Sequence, residues 1–239
     1  MNGETTWMPA PVGRRRGGPA GRARERKGAF PRFRCWRAAV VLAVALAAVA
    51  AKAPAGQAAV MGTTGLLQIP TADVSPPGAG RLAAGVDGSE FLLSVMVSPL
   101  PGLEVGGAAR SRGAVAPQLK YAVAAESAGA PGFAVGLAGD SYYAVLSRRL
   151  SSPGLRLHLG VGAGRWGPVL AGVEARLRSV AVTAADAGPS APAVSLLVDF
   201  DGRAVALGAR LQWPAGWTAA AGVRAGHGLV GQVAYGIHF

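Results

Sequence analysis

The sequence predicts an all-β fold, an antiparallel transmembrane β-barrel of about 10–12 strands. Three observations carry this expectation: apolar residues recur at every second position, no apolar run beyond about Gly62 is long enough for a membrane helix, and charge is sparse there. The 239 residues include 36 Gly and 51% hydrophobic residues but a single Cys. A disulfide scaffold is excluded and a wholly disordered chain is not expected.

The net charge of +12 is concentrated at one end. Residues 1–59 hold eleven Lys and Arg against Glu4 and Glu25, whereas the remaining 180 residues carry only +3. A nucleic-acid-binding domain would keep its basic charge on the folded part, so no nucleic-acid partner is expected. The basic stretch runs into Ala38 to Ala51, fourteen apolar residues. At about 1.5 Å per residue they span roughly 21 Å, short of the roughly 30 Å hydrocarbon core. Small residues follow, and the order basic, apolar, small describes a secretory signal peptide. The expected cuts follow Ala53, Ala55 or Ala58, so that 1–59 is a removed leader and 60–239 the barrel domain; an uncleaved anchor is the alternative. Cys35 precedes the apolar run and would leave with the leader.

The strands follow in order. Weaker alternation marks about 80–87, 91–98, 102–110, 116–125, 132–138, 141–149 and 193–200. Stronger alternation begins with Leu155, Leu157, Leu159 and Val161 against Arg156, His158, Gly160 and Gly162. It continues with Val169, Val173 and Leu177 against Leu170, Glu174 and Arg178, then Val205, Leu207 and Leu211 against Ala206, Gly208 and Arg210. Trp217, Ala221 and Val223 oppose Thr218, Gly222 and Arg224, and Leu229, Val233 and Ile237 oppose Val230, Gln232 and His238. Side chains on a strand point to opposite faces in turn, so each segment has one apolar face and one polar or tiny face. Turns are expected at Pro99–Gly102, Ala130–Gly132, Ser152–Gly154, Gly167–Pro168, Asp201–Gly202 and Pro214–Gly216.

Which face is inside follows from charge. The 180 residues after the leader contain 23 charged side chains and a single lysine, Lys120. A soluble surface would be roughly a quarter to a third charged. The sparse charges share one face, where Arg156, Glu174, Arg176, Asp199, Asp201, Arg203, Arg210 and Arg224 mix both signs as a filled lumen requires. Trp213 and Trp217 flank a turn, either at a headgroup interface or packed over a hairpin end. The alternative to the membrane barrel is an exported soluble β-sandwich or lipocalin-like module binding an apolar ligand; a polysaccharide-modifying enzyme is the third reading.

Alternating residues ending on a terminal Phe, here Val233, Tyr235, Ile237 and Phe239, resemble the strand by which bacterial outer-membrane barrels are recognised for assembly. The segment Gly62-Thr-Thr-Gly-Leu-Leu-Gln-Ile-Pro-Thr-Ala-Asp73, followed by Gly78 and Gly80, resembles the opening of YjbH-like proteins, outer-membrane barrels associated with exopolysaccharide production. Further pieces fit in order: Pro101 to Gly106, Gln118 to Tyr121, Phe133 to Asp140, Tyr142 to Ser147, Leu157 to Gly160 and Leu197 to Gly202. After the last, Ala204 or Ala206 stands where an Asn would be looked for. The resemblance covers 62–239. It implies the outer membrane as location, with membrane lipid, the barrel-assembly machinery and envelope polysaccharide as partners.

No hydrolase, zinc-protease or phosphate-loop motif occurs, so catalysis, a metal and a cofactor are not expected. Asp199 and Asp201 could be an acid and base pair. Carboxylates on one strand are instead expected to meet Arg203, Arg210 and Arg224 across strands. About ten strands with charged inward residues leave little room for a wide channel.

Overall fold

The computed structural model describes residues 51–52, 57–111, 113, 115–177 and 192–239. Residues 1–50, which hold the basic stretch and the apolar run up to its last residue, and the proposed cleavage sites at Ala53 and Ala55 lie outside the described residues.

Twelve strands form one closed antiparallel barrel. In order they are β2 (Ala79–Asp87), β3 (Glu90–Leu100), β4 (Leu103–Arg110), β5 (Val115–Ala124), β6 (Gly132–Ala138) and β7 (Ser141–Arg149), then β8 (Leu155–Gly162), β9 (Val169–Leu177), β10 (Ala193–Phe200), β11 (Val205–Gln212), β12 (Trp217–Arg224) and β13 (Gly228–His238). A two-residue β1 (Ala51–Lys52) joins the end of β13, pairing Ala51 with His238 and Lys52 with Ile237.

Each barrel strand bonds to its neighbours in sequence, and β13 returns to β2 over nine pairs, from Val230↔Asp87 to His238↔Ala79. Closure leaves no open edge, which hydrocarbon demands because unpaired backbone groups there cost several kcal/mol each. Glycine makes the turns where a left-handed backbone is needed, with φ of 77° at Gly102 and 84° at Gly154. The register shifts between Val97 and Leu100, where Pro99 cannot donate to the ladder.

The faces lie as the alternation predicts, apolar side out. Leu207 is 57% exposed and Leu229 71%, whereas Arg210, Glu104 and Lys120 are at most 1% exposed. A soluble module would hide the leucines and show the arginines, so the soluble alternative fails on the orientation of the strands themselves. Exposed aromatics gather near the end that carries β2's start and β13's finish: Tyr121, Trp217 and Phe239, with Trp217 and Tyr235 rings 4.8 Å apart. We call this the terminal mouth. Phe91 and Tyr142 stand near the opposite, far mouth.

Candidate functional site

The lumen is filled by the chain itself. Every residue from Ala58 to Ala72 is buried, in a loop that leaves the terminal mouth at Gln57, reaches toward the far mouth at Gln68, and returns to Ala79. Too short and irregular for regular structure, this plug closes on its own backbone. Val60 N donates to Leu67 O (2.9 Å), Gly65 N to Gln57 O (2.9 Å), Leu66 N to Ile69 O (2.9 Å) and Thr71 N to Thr64 O (3.1 Å). Gly62 sits at φ 95°, and a Cβ there would meet Ser94 Oγ at 2.2 Å, so only glycine fits this bend.

The barrel satisfies what the plug leaves open, as a buried polar backbone requires. Asp199 Oδ2 accepts from three successive amides, Leu67 N (2.9 Å), Gln68 N (2.8 Å) and Ile69 N (3.4 Å). Glu104 accepts from Thr64 Oγ1 (3.0 Å), Ser75 N (2.9 Å) and Ser75 Oγ (2.8 Å). Lys120 Nζ donates to Thr64 O (2.9 Å), Arg81 Nη2 to Gly62 O (2.7 Å) and Ser147 Oγ accepts from Ala72 N (2.8 Å). Gln118 and Gln232 donate to the carbonyls of Met61 and Ala58, and Arg210 to that of Gly65. Arg156 binds Asp73 Oδ1 (2.8 Å) and Glu126 Oε2 (2.6 Å), tying the plug's exit to the terminal mouth. At the far end Trp166 Nε1 donates to Gln68 O (3.3 Å) and Arg165 to Gln68 Oε1 (3.3 Å).

Apolar contacts complete the seat. Leu66, Leu67 and Ile69 are fully buried among Tyr143, Val145, Trp166, Leu170 and Leu197. Barrel glycines make room for them: a Cβ at Gly172 would lie 2.4 Å from Leu66 Cδ1 and 2.9 Å from Ile69 Cδ1. At Gly208 and Gly222 it would lie 2.9 Å from Leu67 Cδ1.

The sequence-selected charges divide accordingly. Glu174, Asp199, Asp201, Arg210 and Arg224 are buried, Arg156 is half-buried, and Arg176 and Arg203 are exposed. Arg224 pairs with Asp201 as cross-strand spacing predicts, and Arg210 lies 3.7 Å from Glu174. One expectation is corrected. Asp199 takes its hydrogen bonds from plug amides instead of from Arg203, Arg210 or Arg224, because the plug lies nearer than the facing strands. Arg203 Nη2 donates to Gly164 O (2.7 Å). Gln57, Ala58 and Ala59 lie at the start of the lumenal loop, where Gln57 O accepts from Gly65 N (2.9 Å). Val233, Tyr235, Ile237 and Phe239 alternate on the outer side at the end of β13, with Phe239 69% exposed.

Sequence reasoning missed the plug and several of its holders, among them Arg81, Glu104, Gln118 and Lys120. The signal was present in the weaker strands, whose inward positions carry these polar residues. The pieces that resemble YjbH-like proteins coincide with the plug, 62–73, and with segments supplying Glu104, Gln118, Lys120, Ser147, His158 and Asp199. Ser147 Oγ and His158 Nδ1 lie 2.7 Å apart, both buried, with Ala72 N donating to the same Ser147 Oγ. Among the described residues no three His, Cys, Asp or Glu cluster as a metal site.

An apolar belt outside, a polar interior and a bore occupied by the chain's own loop define a plugged transmembrane β-barrel. No family model and no curated protein matches the sequence. Among solved structures the chain is similar to one described as "KdgM porin in complex with disordered oligogalacturonate", at 11% identity and a TM-score of 0.42 over 67% of this chain and 99% of that one.

Proposed function

We propose that this chain is a bacterial outer-membrane barrel that stays closed at rest, a non-catalytic structural component of exopolysaccharide production and export. The observation that carries the reading is the loop from Gln57 to Asp73 seated in the lumen, its open amides and carbonyls met by Asp199, Glu104, Lys120 and Arg81. A diffusion pore keeps a water-filled bore; here that volume holds packed protein. The coincidence between the YjbH-like segments and the plug with its holders supports the polysaccharide context. Export by the basic leader and insertion by the barrel-assembly machinery through Val233, Tyr235, Ile237 and Phe239 belong to the same reading.

Fractionation and planar-bilayer recording test it together. The expected protein sits in the outer-membrane fraction, shifts in gel mobility on heating, and conducts little in a bilayer. Deleting its gene lowers secreted exopolysaccharide. Steady open-pore conductance from the unmodified chain, or unchanged polysaccharide in the deletion strain, would overturn the reading.

A further inference from the structure

The far mouth holds a second arrangement, which touches the plug where Arg165 donates to Gln68 Oε1 and Arg110 to Met61 Sδ. A cavity of about 490 Å³ opens there, inside the roughly 300–1,000 Å³ range of ligand clefts, lined by Arg110, Arg165, Arg203, Arg224, Asp87 and Glu90. Three of the four guanidiniums face the two rim carboxylates, and Asp201 below is already held by Arg224.

The length of the ion pairs and the balance of charge set this cavity apart. Arg156, at the other mouth, makes short hydrogen bonds to Asp73 and Glu126 at 2.8 and 2.6 Å. In the far cavity the pairs are loose: Arg165 to Asp87 at 3.9 Å, Arg224 to the same Asp87 at 3.7 Å, and Arg110 to Glu90 at 3.5 Å. Arg165 Nη1 and Arg224 Nε are buried without a hydrogen-bond partner, and Arg203's hydrogen bond runs to a backbone carbonyl. Guanidiniums are planar forks suited to carboxylates, and a buried donor left open favours a group that can accept from it. A cavity lined by four arginines and two carboxylates, with long pairs between them, carries an excess of positive charge suited to an anion.

Asp87 and Glu90 restrict which anion. A bare phosphate would meet their charge without compensation. A carboxylated sugar presents its anionic group to the arginines and its hydroxyls, as donors, to the two carboxylates. We propose that the far mouth binds an acidic, uronate-bearing oligosaccharide, with Arg110, Arg165, Arg203 and Arg224 gripping the carboxylates. The plug blocks the approach through the barrel, so the ligand arrives from the far side. This deepens the polysaccharide reading above and rests on it.

The test is calorimetric titration of the full chain in detergent, with its heat-modifiable gel shift verified, against oligomannuronate, maltotriose and inorganic phosphate. The expected result is saturable oligomannuronate binding that weakens as salt rises, with maltotriose silent and phosphate weaker by about tenfold or more. R110Q/R203Q should lower oligomannuronate affinity by about tenfold, as loss of charge-assisted contacts predicts. R203Q alone, at an exposed side chain, serves if the double variant loses its gel shift. R149Q/R176Q at the terminal mouth should leave binding unchanged. Failure of the heat-shifting chain to bind oligomannuronate, equal affinity for phosphate, or indifference to R203Q and R110Q/R203Q overturns the proposal. A heat-shifting, poorly conducting chain that binds no uronate leaves the closed-barrel reading standing.

Discussion

Asp199 shows how much one carboxylate can hold. Its Oδ2 meets three consecutive plug amides, and D199A would leave those donors buried and unpaired, at about 1–3 kcal/mol for an orphaned group. We expect D199A to keep the heat-dependent gel shift while protease cuts within 57–75 much faster; D199N, which keeps an acceptor, should lie between. Protection equal to that of the unmodified chain would show that Asp199 does not hold the plug. Asp73 makes a pH-dependent hold at the terminal mouth. Burial opposes its charge, but the hydrogen bond and charge of Arg156, helped by Lys120, outweigh burial and keep the carboxyl below the ordinary aspartate range. A carboxyl whose folded value is depressed stabilises the fold above the unfolded value of about 4, and that contribution fades as pH falls through the folded value. Proteolytic protection of the loop should therefore be flat from pH 8 to 5 and decline below about 4, and D73N should weaken it at neutral pH. Such partners were not legible beforehand. Period-two spacing says that Asp199 faces inward, but not that amides 130 residues away in sequence wait there.

At the level of strands the sequence was read almost completely. The expected segment at 141–149 matches β7, that at 193–200 matches β10, and the others agree within about two residues at each end. Alternation sets both where a strand runs and which face meets lipid, so it carried position and orientation together. L207R places a charge on the lipid side of β11, where such substitutions cost about 2–4 kcal/mol near the bilayer midplane. The expected outcome is less heat-shifting protein in the membrane fraction. An equal yield would mean that this face does not meet hydrocarbon.

For the whole molecule, closure was legible and the filling was not. The loop from Gln57 to Ala72 has no period, because its conformation is imposed by surrounding walls instead of by repeating neighbours along the chain. Leu66, Leu67 and Ile69 are unremarkable until Gly172, Gly208 and Gly222 are seen to vacate space for them. G172V therefore tests the packing of loop against wall. Its added methyls would occupy the volume of Leu66 and Ile69, so we expect an intact barrel with higher bilayer conductance. A barrel as silent as the parent would show that the seat tolerates the change.

The loop goes in and comes out by one mouth, with Gln57 beside Leu155 and Asp73 on Arg156. Nothing is threaded. Like a cork on a tether, it can be drawn toward that side without cutting the polypeptide and without disturbing the hydrogen bonds between staves. Opening and unfolding are thus separate events for this vessel.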